Sequence, residues 1–158
     1  MVARRLVGLR RVAGYLALCL IPLGVPALAD EPIPMQRLTP AEIAARAAPT
    51  ATPGSGVQMT PLSGDATKPG LYTVRVSIAP HTQVRPHSHR DNRTVAVISG
   101  TWHMGYGPTF EAKALKDLPP GSFYTEPAGQ AHFAQTGDEP VVIWVTGYGP
   151  SDTRFVTP

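Results

Sequence analysis

The chain of 158 residues predicts an all-β fold, and three observations carry that expectation. From residue 57 onward, short runs rich in Val, Thr, Ile and Tyr recur between Gly/Pro turns, the regular spacing of a sandwich or barrel. The same region is a poor helix, because β-branched residues, glycine and proline dominate it. The one clear helix-start signal lies upstream of these runs, at Thr39-Pro40-Ala41-Glu42.

Residues 1–29 read as a secretory signal. MVARRLVGLRR is a basic start, VAGYLALCLIPLGVP an apolar stretch, and Ala27-Leu28-Ala29 the small-x-small pattern before a cleavage point. Pro22 and Pro26 interrupt the apolar stretch, which argues against a lasting membrane anchor. A periplasmic or secreted location follows as an expectation. Four of the 14 basic residues lie in this segment and none of the 11 acidic ones, so the net charge falls from +3 to −1 (10 basic against 11 acidic) on its removal. Nothing in that balance supports nucleic-acid binding by charge. Cys19 is the single cysteine and leaves with the signal, so the remainder has no disulfide, thiolate ligand or cysteine nucleophile.

Residues 30–56 form an N-terminal arm. Thr39 as N-cap, Pro40 at the first helical position and Glu42 three residues after the cap make a capping box, predicting a short helix over 39–47. PTATPGSG (49–56) is a linker by composition. The β region, 57–158, then offers VQMTPL, LYTVRVSIA, TVAVISG, TWHMGYG, SFYTEP, HFAQT and VVIWVTGYG as strands. No repeat, phosphate loop, dinucleotide fingerprint or nucleophile triad is present. Gly-Tyr-Gly-Pro occurs twice, at 105–108 and 147–150, and each copy reads as a strand-ending turn.

The chemistry centres on histidine. In RPHSHRDNRT, His87 and His89 are one residue apart, so on a strand both imidazoles share a face. His132 opens a later strand after the turn PAGQ. Three imidazoles converging in a small barrel suit Fe, Mn, Zn, Ni or Cu as a divalent transition metal. GSFYTEPAGQAHFAQT matches G-x5-P-x-G-x2-H-x3-N at Gly121, Pro127, Gly129 and His132, with Thr136 in the final Asn position. HSHRDNRTVAVISG matches G-x5-H-x-H-x3,4-E-x6-G at His87, His89 and Gly100, with His81 in place of the leading Gly and Arg93 in place of the Glu.

On these two motifs the chain resembles the cupins, and more narrowly the small, often secreted single-domain cupins. The resemblance implies a single double-stranded β-helix, a jelly-roll barrel, carrying the short helical arm. It also implies three His ligands, dioxygenase- or isomerase-type chemistry on a small organic molecule, an anion among the candidates, and dimerisation through edge strands. A non-catalytic module that binds or senses a small molecule or a metal is the alternative.

Arg93 admits three readings. It could anchor a substrate anion beside a three-His metal. It could pair with Asp91 or Glu126 in a structural role. Or the metal is lost and the barrel holds an organic ligand, since a cation beside M²⁺ is repulsive in an apolar pocket. His103, Gln83 and Tyr106 are further candidates for contact with a ligand, Gln83 and Arg85 because they share parity with His87. Trp102, Tyr124, Phe133, Trp144 and Tyr148 are aromatics that could line a cavity.

Overall fold

The structure is a computed structural model that describes residues 33–46, 50–51 and 54–157. The predicted signal, 1–29, and part of the linker lie outside the described residues.

The helix forms where its cap directs it. α1 spans Pro40–Ala45; the Thr39 hydroxyl accepts from the Glu42 amide at 3.3 Å, and the Glu42 carboxylate accepts from the Thr39 amide at 2.7 Å. Ile43 is its buried residue, and Arg46 just beyond it donates to the Leu62 carbonyl at 3.0 Å. The helix therefore lies against the edge of the β region.

Eleven strands follow among the described residues: β1 (Thr50–Ala51), β2 (Val57–Ser63), β3 (Gly70–Ile78), β4 (Gln83–Ser88), β5 (Arg93–Ser99), β6 (Trp102–Tyr106), β7 (Lys116–Leu118), β8 (Phe123–Glu126), β9 (His132–Thr136), β10 (Val141–Gly149) and β11 (Arg154–Phe155). They make two antiparallel sheets, ordered β1-β2-β3-β10-β5-β8 and β11-β4-β9-β6-β7. Consecutive strands alternate between the sheets at several points, as in a jelly roll. The long strands β3 and β10 show strict burial alternation, so one face of each enters the core and the other meets solvent.

Tyr72, Val74, Val76 and Ile78 from β3 pack with Val95, Val97, Val141, Ile143 and Val145, and with Trp102, Met104 and Ala134 from the second sheet. Within the barrel, Val76, Ile78, Ile143, Val145, Trp102, Met104 and Ala134 of this core also line a cavity of about 280 Å³.

Two departures from the motifs are absorbed by the backbone. His81, in the place of the leading Gly, has φ 53°, the left-handed conformation that a glycine adopts without strain. Thr136, in the place of the Asn, is buried; its hydroxyl donates to the Ala79 carbonyl at 2.7 Å and accepts from the Thr82 amide at 2.9 Å. It thereby pins the end of β9 to the β3–β4 loop.

Candidate metal centre

His87 and His132 are directly opposed in the β4–β9 ladder, and their ring centroids are 4.4 Å apart. His89 follows the end of β4, with its ring 4.9 Å from His87 and 5.1 Å from His132. The Gly129 amide donates to the His89 carbonyl at 2.7 Å, and the Ala128 amide to the Asn92 side chain at 2.9 Å. The two motifs are thus tied together through their turns. One ring nitrogen from each of the three histidines lies within 4.8 Å of the others, and all three side chains are buried.

The tautomer of each ring is set by the main chain. Nδ1 of His87 meets the Arg85 carbonyl at 2.8 Å, Nδ1 of His89 the Asp152 carbonyl at 2.6 Å, and Nδ1 of His132 the Gln130 carbonyl at 3.2 Å. A carbonyl only accepts, so each Nδ1 carries the proton and each Nε2 keeps its lone pair. Burial holds all three rings below the usual histidine range; His89 is depressed to about 3, by burial first and by the Arg93 charge second. The rings are neutral at physiological pH.

The opposite wall comes from the first sheet. Arg93 on β5 is the cross-strand partner of Glu126 on β8, so both side chains enter the same cavity. Arg93 Nε is 3.5 Å from Asp91 Oδ1, and its Nη1 is 3.7 Å from Glu126 Oε2. Its Nη2 donates to the Ser151 hydroxyl and, at 3.3 Å, to the Asp152 carbonyl. Asp91 accepts further from Tyr72 Oη and Ser151 Oγ, both at 2.6 Å. Burial, and then the hydrogen bond to Asp91, push the Tyr72 hydroxyl up to about 12.

Glu126 is less completely held. Tyr124 Oη donates to its Oε1 at 3.2 Å, and Trp102 Nε1 donates to Tyr124 Oη at 3.0 Å. Its Oε1 lies 3.5 Å from His132 Nε2 and its Oε2 lies 3.5 Å from His89 Nε2. Glu126 Oε2 and His132 Nε2 are buried without a hydrogen-bond partner. Burial raises the Glu126 carboxyl above its ordinary range, while Arg93 opposes that shift. A carboxylate facing imidazole lone pairs in an apolar cavity is repulsive until a cation or a proton intervenes. The donor set therefore fits a divalent transition metal, three nitrogens with a carboxylate beside them.

Not every sequence candidate reaches this cavity. Arg93 does, in the arrangement of the second reading, paired with both Asp91 and Glu126. Gln83 is exposed and Val84 lines the cavity instead, because the β4–β9 register shifts between Val84 and His87 and inverts the parity. Arg85 is likewise exposed, with its guanidinium over the Phe155 ring. His103 points away, Nδ1 2.7 Å from Asp117 Oδ1, while its neighbours Trp102 and Met104 line the cavity. Tyr106 is exposed and donates to the Thr125 carbonyl at 2.6 Å. Of the aromatics, Trp102 and Tyr124 line the cavity; Phe133 is core, and Trp144 and Tyr148 lie partly open to solvent. Sequence reasoning does not single out Tyr72 or Ser151, which reach Asp91 from β3 and from the segment after β10. It finds Glu126 only as a partner for Arg93; the available signal is parity with Tyr124 on the strand leading into Pro127.

The family described as the ChrR cupin-like domain matches residues 41–152 of this chain, from within α1 to the segment after β10. The chain belongs to this cupin family. Among curated proteins, the cupin is 31% identical over 80 residues to germin-like protein subfamily 1 member 20 of Arabidopsis thaliana, covering 48% of this chain and 36% of that one. It is 32% identical over 68 residues to member 16 of the same subfamily, covering 40% of this chain and 31% of that one. The match thus spans about a third of the length of those relatives.

Among solved structures, the polyketide cyclase RemF from Streptomyces resistomycificus superposes with a TM-score of 0.63 at 19% identity, over 78% of this chain and 87% of that one. An oxalate oxidase in complex with the substrate analogue glycolate superposes at 0.55 with 25% identity, over 72% of this chain and 61% of that one. These likenesses confirm the jelly-roll fold.

Proposed function

We propose that this cupin binds one divalent transition metal through His87, His89 and His132 and presents it to a small, largely apolar organic molecule. The observation that carries the reading is the fixing of all three Nδ1 protons on backbone carbonyls, which leaves three Nε2 lone pairs converging. A bound metal would supply Lewis acidity or an O₂-binding centre.

The chain's own residues define what enters. Val57, Met59, Val84, Met104, Ala134 and Phe155 are among the apolar side chains of the cavity wall. Arg93 is engaged by Asp91, Glu126 and Ser151, so it neutralises the wall rather than receiving an anion. An oxalate oxidase among the structural neighbours supports turnover as one form of this proposal, with the dioxygenase- or isomerase-type chemistry that the cupin motifs imply. A binding or sensing module is the second form. It is favoured by a cavity wall that has Glu126 as its single carboxylate and neither lysine nor cysteine.

The signal at 1–29 supports action outside the cytoplasm, to be checked by cell fractionation with N-terminal sequencing; protein retained in the cytoplasm with an intact N-terminus would overturn it. Metal analysis of purified protein tests the central reading. Close to one ion per chain is expected, lost in His87→Ala and His132→Ala. Content below about a tenth of an equivalent, with no added metal raising the melting temperature, would sink it.

A further inference from the structure

Resting on that reading, we infer that Glu126 is the fourth protein ligand of the metal, so that the carboxylate of the site stands on β8 while Arg93 occupies the facing position on β5. Two of the spacings around the cavity are already those of a coordination shell. Two ligands bound tetrahedrally at about 2.1 Å from one ion are separated by roughly 3.4 Å. Glu126 Oε1 is 3.5 Å from His132 Nε2, and Oε2 is 3.5 Å from His89 Nε2. Without a proton between them, neither contact is a hydrogen bond, since each Nε2 is a lone-pair acceptor facing an acceptor. Glu126 Oε2 and His132 Nε2 are also buried without a hydrogen-bond partner, as is Arg93 Nε on the same wall.

The competing role, counter-ion to Arg93, accounts for less. Arg93 is bound on its other side by Asp91, Ser151 and the Asp152 carbonyl, and its Nη1 stays 3.7 Å from Glu126 Oε2. Asp91 has two hydroxyl donors as well as Arg93, whereas Glu126 has one hydroxyl donor. Arg93 and Asp91 cancel each other's charge, and Glu126 is left as the anion aimed at the three neutral rings. Positions 93 and 126 are direct cross-strand partners on the cavity face, so a carboxylate at either one reaches the same space. Arg93 stands behind the carboxylate and withdraws electron density from it, which makes the ligand a weaker donor and the metal a stronger Lewis acid.

Co²⁺ is the probe, because its visible absorption reports the number and type of ligands independently of any activity. Full-length protein, stripped with a chelator, is titrated with Co²⁺, and affinity is measured by competition. Glu126→Gln keeps the shape and removes the charge; it should weaken Co²⁺ by about a hundredfold or more, beyond the usual cost of losing an outer hydrogen-bond partner, and change the spectrum. Glu126→Asp, which retains a withdrawn carboxylate, should fall between, and it serves if the Gln variant does not fold. His103→Ala, on the outer face of the barrel, should leave both the Co²⁺ affinity and the spectrum unchanged. Wild-type protein that takes up Co²⁺ while Glu126→Gln keeps its affinity and spectrum overturns the role of Glu126 alone. Wild-type protein that takes up no Co²⁺, Zn²⁺ or Mn²⁺ overturns the metal reading with it.

Discussion

Arg93 and Glu126 face each other across the β5–β8 ladder, with Nη1 3.7 Å from Oε2, and Arg93 joins two buried carboxylates that would otherwise share one wall. Removing one partner of a buried charge cluster costs more than the cluster contributes, because the remaining charges stay desolvated. Arg93→Met should therefore destabilise the metal-free protein by about 3 kcal/mol in urea unfolding. Added Zn²⁺ should recover more stability in the variant than in the wild type, since the ion then supplies the missing positive charge. A loss below about 0.5 kcal/mol would mean that the cation does not hold this wall together.

Gly147 makes the same cluster possible. It stands opposite Arg93 in the β5–β10 ladder, and a Cβ there would lie 2.5 Å from Tyr72 Oη and 2.6 Å from Asp91 Oδ2. Gly147→Ala should cost several kcal/mol, by separating a buried hydroxyl from its carboxylate. Tyr72→Phe alone should cost about 1–3 kcal/mol for the unsatisfied acceptor. Because the phenylalanine also relieves part of the clash, the double variant should be less destabilised than the sum of the two, with a coupling of roughly 1 kcal/mol or more. Strict additivity in urea unfolding would separate Gly147 from this network.

The cavity wall at β4 tests the inverted parity of that strand. Val84 lines the cavity and Gln83 is exposed, although only Gln83 shares parity with His87. Val84→Trp should fill the space and abolish uptake of a neutral aromatic fluorophore. Gln83→Trp should leave uptake within about twofold, as surface changes away from a site usually do. Equal loss in both variants would contradict the register shift.

Local spacing along the chain encodes part of this site, and strand register encodes the rest. The H-x-H at 87 and 89 and the spacing from Gly121 to His132 specify turns and strand faces locally, so the barrel and the three imidazoles are legible in the sequence. Glu126 is not legible as a ligand, because its place opposite Arg93 is a property of register between strands about 30 residues apart. Asp91, Tyr72 and Ser151 meet only through three separate segments, and no local pattern announces such a cluster. Gln83 fails for a different reason. Period-two counting holds along an unbroken strand, and one bulge reverses it. His103 has both faces open to it by parity, and the burial of Trp102 and Met104 decides the outward one.

Metal should be worth a measurable part of the stability of this cupin. Two of the three buried imidazoles, His89 and His132, lie 3.5 Å from the buried Glu126 carboxylate in the folded state, and the unfolded chain holds no such arrangement. A ligand that binds only the folded form stabilises it by about 2.7 kcal/mol at a hundred times its Kd. For a domain of this size that corresponds to a rise in Tm of roughly 10 °C. Zn²⁺ or Mn²⁺ added to chelator-treated protein should give such a rise, and a chelator should reverse it. His132→Ala should abolish the effect, since it removes the ring opposed to His87 in the ladder. His103→Ala should keep it in full, because His103 Nδ1 is engaged with Asp117 on the outer face. A rise that survives His132→Ala but vanishes in His103→Ala would place the metal outside the barrel.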